Sequence, residues 1–167
     1  MLSKSGYEWT GEQTRGRAEG EGINVEALTI TATGNLLIGF RGPLTQEGGA
    51  LALEIELPES PEGEPTLVDR HLLPVVNHPG IEEGAARTLR AMTPVPGAPG
   101  DYYVLLGPLG YEKEEVVLSR WHTDTGKLTR PTQLPSGFVG EGVTAIPGSE
   151  VLVVDDLDAM VLIASEH

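Results

Sequence analysis

Residues 141–148 read Glu-Gly-Val-Thr-Ala-Ile-Pro-Gly, and this stretch recurs in outline at two earlier places in the chain. Residues 90–97 read Arg-Ala-Met-Thr-Pro-Val-Pro-Gly, and residues 26–30 read Glu-Ala-Leu-Thr-Ile. The shared pattern is a charged residue, a small residue, an apolar residue and then threonine. A turn containing glycine and a strongly apolar run follow each copy. The copies start 64 and 51 residues apart, which is the size of a β-propeller blade.

Strand signals dominate the rest of the chain. Short apolar runs bounded by Gly, Pro, Asn or Asp are typical of β-strands. Such runs occupy residues 36–40, 50–57, 102–106, 115–118, 151–154 and 161–163. They predict an all-β fold in three repeats, at about residues 23–76, 87–135 and 138–163. In residues 81–89 the apolar side chains have helical spacing, and we expect one or two helical turns there.

The number of strands predicts how the repeats assemble. The first two repeats have room for four strands each, whereas the third has room for three. We expect residues 7–10 to supply the missing edge strand, because closed propellers protect their sheet edges in this way. Three blades are too few for a closed ring, which typically has about four to eight. We therefore predict a half-propeller that a homodimer closes into a six-bladed ring.

The composition is that of one acidic folded domain. The chain has 167 residues, 39% of them hydrophobic and 5% aromatic, and a net charge of −14. Such a surface repels phosphate groups, so we expect neither nucleic acid nor an anionic membrane as a partner. The chain has no cysteine, and we expect no Cys-based zinc site, no thiolate nucleophile and no cofactor. Since no apolar run reaches the length of a transmembrane helix, we expect a soluble, cytoplasmic protein.

Segments from all three repeats carry a family resemblance. They are residues 23–28, 35–43, 49–53, 87–90, 102–108, 118–121, 141–143 and 151–156. Together they resemble the domain-of-unknown-function 3616 family, over about residues 23–158. The resemblance implies a propeller-like fold, related in appearance to esterase-like domains of phytase type, but no biochemical role. It also implies that this chain corresponds to the C-terminal half of longer proteins. Ala27 stands where the family usually has glycine.

Charged residues at one position of the repeat are the candidate site. Glu26, Arg90 and Glu141 begin the three copies, and the first strand of a propeller blade lines the central channel. We therefore expect these side chains to converge. Arg41 and Asp156 complete the candidate ligand-binding set. Opposite charges near a common axis bind a polar ligand or pair with each other, and the structural pairing is favoured.

Other motifs favour turns over chemistry. Asp155, Asp156 and Asp158 lack the spacing of a calcium loop, and aspartate is common in turns. Residues 124–126, Asp-Thr-Gly, have no second copy with which to form an aspartic-protease pair, so they predict a hairpin turn. The histidines show no metal-ligand spacing, and His71 and His122 are interpreted as ordinary surface or edge residues. We assign no catalytic residue and no metal ligand.

Two function classes stay open. The first is a non-catalytic binding or scaffold module that takes a small polar ligand or a protein partner. The second is a metal-assisted phosphoester or lactone hydrolase, with Glu26, Glu141 and Asp156 around a central cation. The missing nucleophile motifs and the repeat favour the first class. The abundance of acidic residues favours the second, and a stoichiometric divalent metal in the purified protein would support it.

Overall fold

The computed structural model describes residues 23–44, 49–74, 87–108, 116–147, 150–155 and 159–164. Within these ranges the chain is all-β: eleven strands form three antiparallel sheets, and no helix occurs. Sheets 1 and 2 have four strands each and sheet 3 has three. In every sheet, strands that follow one another in the sequence lie side by side, so each sheet has a simple up-and-down order.

The strand bounds follow the apolar runs. Sheet 1 contains β1 (Asn24–Ile30), β2 (Leu36–Gly42), β3 (Leu51–Glu56) and β4 (Thr66–Leu72). Sheet 2 contains β5 (Thr88–Pro94), β6 (Asp101–Gly107), β7 (Val117–His122) and β8 (Lys127–Gln133). Sheet 3 contains β9 (Gly140–Ile146), β10 (Glu150–Asp155) and β11 (Met160–Ala164).

Turn residues set the strand ends. The β7–β8 connection contains Asp124, Thr125 and Gly126, and the structure has a hairpin turn there, as predicted. Gly126 has a φ of 67°, in the left-handed region that glycine enters without the steric cost of a Cβ. The triplet therefore has a conformational role in sheet 2.

Sheet 2 lies between sheets 1 and 3, which explains its composition. One of its faces packs on sheet 1 through Leu89, Val104 and Trp121. The other face packs on sheet 3 through Leu105 and Leu118. A strand that is buried on both faces has no need of polar alternation, so residues 102–106 of β6 form a continuous apolar run. The first strands of the sheets are neighbours, β1 contacting β5 and β5 contacting β9.

Glycine lets the sheets approach closely at both junctions. Between sheets 1 and 2, a Cβ added to Gly39 of β2 would lie 2.2 Å from Leu89 Cδ2 of β5. Between sheets 2 and 3 the glycine is on the first strand and the leucine on the second strand. A Cβ added to Gly140 of β9 would lie 3.2 Å from Leu105 Cδ1 of β6. Each junction thus joins one leucine to one glycine.

Both outward faces of the stack carry exposed apolar side chains, although Phe40 and Leu51, which pair beside Val25 in sheet 1, are buried in a cluster of their own. The face of sheet 1 that is turned away from sheet 2 carries Val25, Leu28 and Ile30, which are 49%, 60% and 51% exposed. The face of sheet 3 that is turned away from sheet 2 carries Val154 and Leu162, which are 39% and 57% exposed. Single exposed apolar residues are ordinary, whereas contiguous exposed apolar residues are typical of interaction surfaces.

One secondary-structure prediction is corrected. Leu89, which helical spacing placed at the end of a short helix, lies in β5 and has no exposed surface. Pairing with β6 and burial against sheet 1 decide its conformation, since helix propensity is weak compared with tertiary packing. The rest of that predicted helix, residues 81–86, lies outside the described residues, as does the predicted edge segment, residues 7–10.

Nothing in the described ranges is a helix long and apolar enough to cross a membrane.

Tyr102 makes the free energy of unfolding depend on pH in the alkaline range. Burial raises the pKa of its phenol above the ordinary 10.0, and the negative charge of Glu54 adds to the rise. Since the unfolded chain ionises near that ordinary value, this group leaves the free energy of unfolding unchanged below about pH 10 and lowers it at higher pH. We expect Tyr102→Phe to remove this part of the alkaline loss, as measured by urea unfolding at about pH 8 and about pH 11.

The matched control for that experiment is Tyr103→Phe. It removes a neighbouring phenol and leaves Tyr102 in place, so the alkaline loss should persist. Equal alkaline losses in the wild type and in Tyr102→Phe would contradict the prediction.

Candidate functional site

Glu26, Arg90 and Glu141 are skipped by the strand pairing in their three sheets. The pairing of β1 with β2 passes from Val25 to Ala27 and skips Glu26. The pairing of β5 with β6 skips Arg90, and the pairing of β9 with β10 skips Glu141. Each charged residue is therefore the extra residue of a β-bulge on the first strand of its sheet. A bulge redirects the side chain and takes it out of regular alternation.

Arg90 and Glu141 form an ion pair between two sheets. Arg90 Nη1 donates a hydrogen bond to Glu141 Oε1 at 2.7 Å, which joins β5 of sheet 2 to β9 of sheet 3. The arginine side chain is only 4% exposed, whereas that of the glutamate is 30% exposed. Gly107 provides the space, because a Cβ there would lie 2.1 Å from Arg90 Nε. The guanidinium is thus enclosed by its own neighbours.

Glu26 is paired within sheet 1. Arg41 Nη1 donates to Glu26 Oε1 at 2.9 Å, and Asn24 Nδ2 donates to the same oxygen at 3.2 Å. Arg41 is itself an extra residue, on β2, which the pairing with β1 skips. The second carboxylate oxygen, Oε2, is buried and has no hydrogen-bond partner within the described residues. The Glu26 carboxylate is therefore held through one of its two oxygens.

The predicted set is thus arranged as two ion pairs, one between sheets and one inside a sheet. Asp156, the fifth member, lies outside the described residues. Its neighbour Asp155 accepts a hydrogen bond at Oδ1 from the Ala159 N–H, at 2.9 Å. Among the side chains that the structure describes, no three His, Cys, Asp or Glu residues are grouped closely enough to hold a metal ion.

A polar cluster at the start of β6 was missed by sequence reasoning. Asp101 accepts hydrogen bonds from Arg120 Nε at 2.9 Å and from His122 Nδ1 at 2.8 Å, and both donors lie on β7. Nε2 of His122 lies 2.9 Å from Thr129 Oγ1 on β8. His122 therefore belongs to a chain of contacts across three strands of sheet 2. No local spacing relates residues 101 and 122, so only the sheet register shows this cluster.

Asp101→Ala should lower the free energy of unfolding by about 2 kcal/mol, because it removes the carboxylate that accepts hydrogen bonds from both Arg120 and His122. Asp124→Ala is the control, since Asp124 is an exposed turn residue in the same sheet, and it should change stability by less than about 0.5 kcal/mol. Urea unfolding at neutral pH measures both. A loss for Asp101→Ala no larger than that of the control would contradict the role of Asp101.

A shallow groove of about 300 Å³ lies where β1 and β5 end and β6 begins, beside the polar cluster at Asp101. Residues 30–32 and 94–102 line it, and they include Pro94, Pro96 and Pro99. Glu26 and Arg90 stand near the starts of β1 and β5, whereas the groove lies where these strands end. The predicted set therefore does not line this groove.

Comparison with known proteins shows a fold and no activity. No family model matches the chain, and neither does any curated protein. Among solved structures the chain is similar to a protein of unknown function from Bacteroides caccae, with a TM-score of 0.54 and 19% sequence identity. The similarity covers 90% of this chain and 45% of that chain, so this chain spans less than half the length of that protein. At this identity the likeness shows the fold alone, an all-β arrangement.

Proposed function

We propose that the chain is a half-propeller, that its sheets are three blades, and that it serves as a non-catalytic binding or scaffold module. Two copies close a six-bladed ring. The observation that carries this proposal is the presence of exposed apolar side chains on both outward faces of the stack, on sheet 1 and on sheet 3. A two-fold dimer covers both faces at once, because sheet 1 of each protomer then packs on sheet 3 of the other.

Matching positions in the sheets support the interpretation as repeated blades. Each sheet has its bulge at the charged residue of the sequence pattern. The first two sheets also share a polar pair: Asn35, before β2, donates to Glu54 of β3 at 2.7 Å, as Arg120 of β7 donates to Asp101 of β6. The chemistry of the pair differs while its place in the register is kept.

The length of the solved neighbour supports two copies. This chain matches 45% of that chain, so two copies correspond to nearly its whole length. The resemblance to the domain-of-unknown-function 3616 family, whose members are about twice as long as this chain, carries the same implication.

The ion pairs support a scaffold role for the described site residues. Arg90 pairs with Glu141 across two sheets, and Arg41 pairs with Glu26 inside one sheet. With Arg90 nearly enclosed, its guanidinium holds sheets together in place of binding a solute. A small polar ligand or a protein partner is then bound by the closed ring.

Light scattering behind gel filtration tests the ring. We expect a mass near twice the 17.7 kDa of one chain at micromolar concentration. Leu28→Glu, which puts a charge on the outward face of sheet 1, should shift the protein to monomer. Leu57→Glu is the control, because Leu57 is similarly exposed, at 50%, but lies outside the strands. A folded wild-type protein with the mass of one chain would overturn the proposal.

The metal-assisted hydrolase is the alternative, and elemental analysis of the purified protein distinguishes the two. The binding module should contain less than stoichiometric divalent metal. One divalent ion per chain, lost in Glu26→Gln or Glu141→Gln, would favour the hydrolase.

A further inference from the structure

We infer that the ring-closing contact has a defined register, in which Val154 of one protomer packs against Val25 of the partner subunit. This inference rests on the proposed ring. The two junctions inside one protomer indicate which residues meet at this contact.

The two internal junctions use the same pair of positions. The first position is the residue that precedes the bulge on a first strand: Leu89 before Arg90, and Gly140 before Glu141. The second position is on the second strand of the preceding sheet, and Gly39 and Leu105 occupy it. Gly39 meets Leu89 and Leu105 meets Gly140, so both junctions join these two positions.

Strand pairing identifies the residues that occupy the same two positions on the outward faces of sheets 1 and 3. Val25 precedes the bulge at Glu26, so it corresponds to Leu89 and Gly140. On the second strand, Gly39 pairs with Ala27, the residue after the bulge, and Leu105 pairs with Ala91 in the same way. In sheet 3 the residue after the bulge is Gly142, and it pairs with Val154. Val154 therefore corresponds to Gly39 and Leu105.

The exposure of the two valines agrees with this register. Their counterparts Leu89 and Leu105 have no exposed surface, whereas Val25 is 49% exposed and Val154 is 39% exposed. Each valine thus lacks the cover that the same position receives inside the stack. The proposed contact has two valines where each internal junction has one leucine and one glycine, so the side-chain volume at the contact is approximately conserved.

A second copy of this chain is the occupant that fits both faces. The two faces are different, and each corresponds to the surface that the other packs against inside the stack. A partner that covers them must therefore carry both, and the chain itself does. The solved neighbour, of which one copy matches 45%, has the length of two such units.

Disulfide formation between introduced cysteines tests the register, and no other thiol interferes because the chain has no cysteine. The double variant Val25→Cys/Val154→Cys should form a covalent dimer on oxidation, which a reductant reverses on a denaturing gel. In a two-fold ring the two copies of residue 25 lie at separate junctions. Each single variant alone should therefore stay monomeric on that gel, whereas an equal mixture of the two single variants should give the covalent dimer.

Light scattering of the same samples separates the two possible failures. A dimeric mass, with cross-linking in the single variants or in none of the samples, would overturn the register and leave the ring proposal standing. The mass of a monomer in the wild type would overturn the ring proposal and the register with it. Both positions are exposed, so cysteine there should leave the circular dichroism spectrum unchanged. The mixture of single variants repeats the test without a doubly substituted chain.

Discussion

Replacing Gly39 by alanine should lower the free energy of unfolding by about 3 kcal/mol, although the change adds a single methyl group. The new Cβ would lie 2.2 Å from Leu89 Cδ2 and 2.9 Å from the Ala27 Cβ. Leu89 has no exposed surface and packs in the core between sheets 1 and 2, so it cannot move aside without displacing its own neighbours. Urea unfolding followed by circular dichroism measures the loss.

Gly140→Ala is the matched control at the other junction. There the added Cβ would lie 3.1 Å from Val153 Cγ1 and 3.2 Å from Leu105 Cδ1, distances that a shift of a few tenths of an ångström relieves. The cost should stay below about 1 kcal/mol. In the double variant Gly39→Ala/Leu89→Ala, the added methyl group occupies space that the leucine has vacated, so the cost should fall below the sum of the single costs. Additive costs would show that the two residues do not meet.

The ion pair between sheets 2 and 3 should respond asymmetrically to the loss of either partner. Glu141→Ala leaves the Arg90 guanidinium in a site where only 4% of the side chain reaches solvent, so we expect a loss of about 3 kcal/mol. Arg90→Met keeps most of the buried stem and leaves the Glu141 carboxylate, which is 30% exposed and can be hydrated. The expected loss for this variant is about 1 kcal/mol.

Urea unfolding at neutral pH compares these two variants, with Glu150→Ala as the control. Glu150 is an exposed residue of sheet 3, the sheet that contains Glu141, and its replacement should change stability by less than about 0.5 kcal/mol. If Arg90→Met proved as costly as Glu141→Ala, the exposure of the remaining partner would not be what sets the cost. The same result would point instead to packing of the Arg90 guanidinium over Gly107, which methionine does not reproduce.

Local information in the sequence was sufficient for the strands and their turns. The apolar runs at residues 36–40 and 102–106 lie in strands, and the Asp-Thr-Gly triplet at residues 124–126 lies in a hairpin turn, as predicted. These features depend on neighbouring residues alone: alternation and β-branched content for strands, glycine for a positive φ. Leu89 is the exception, because its conformation depends on the sheet that buries it.

The sequence also determined which charged residues share a position, since Glu26, Arg90 and Glu141 were aligned by their pattern and each proved to be a bulge residue. Tertiary structure alone decided their partners. Arg90 reaches Glu141, 51 residues away, whereas Glu26 takes Arg41 from its own sheet. The cluster at Asp101 and the contact of Gly39 with Leu89 were likewise invisible in the sequence. Hydrogen bonds and van der Waals contacts act over a few ångströms, so they depend on the register and spacing of strands that lie far apart along the chain.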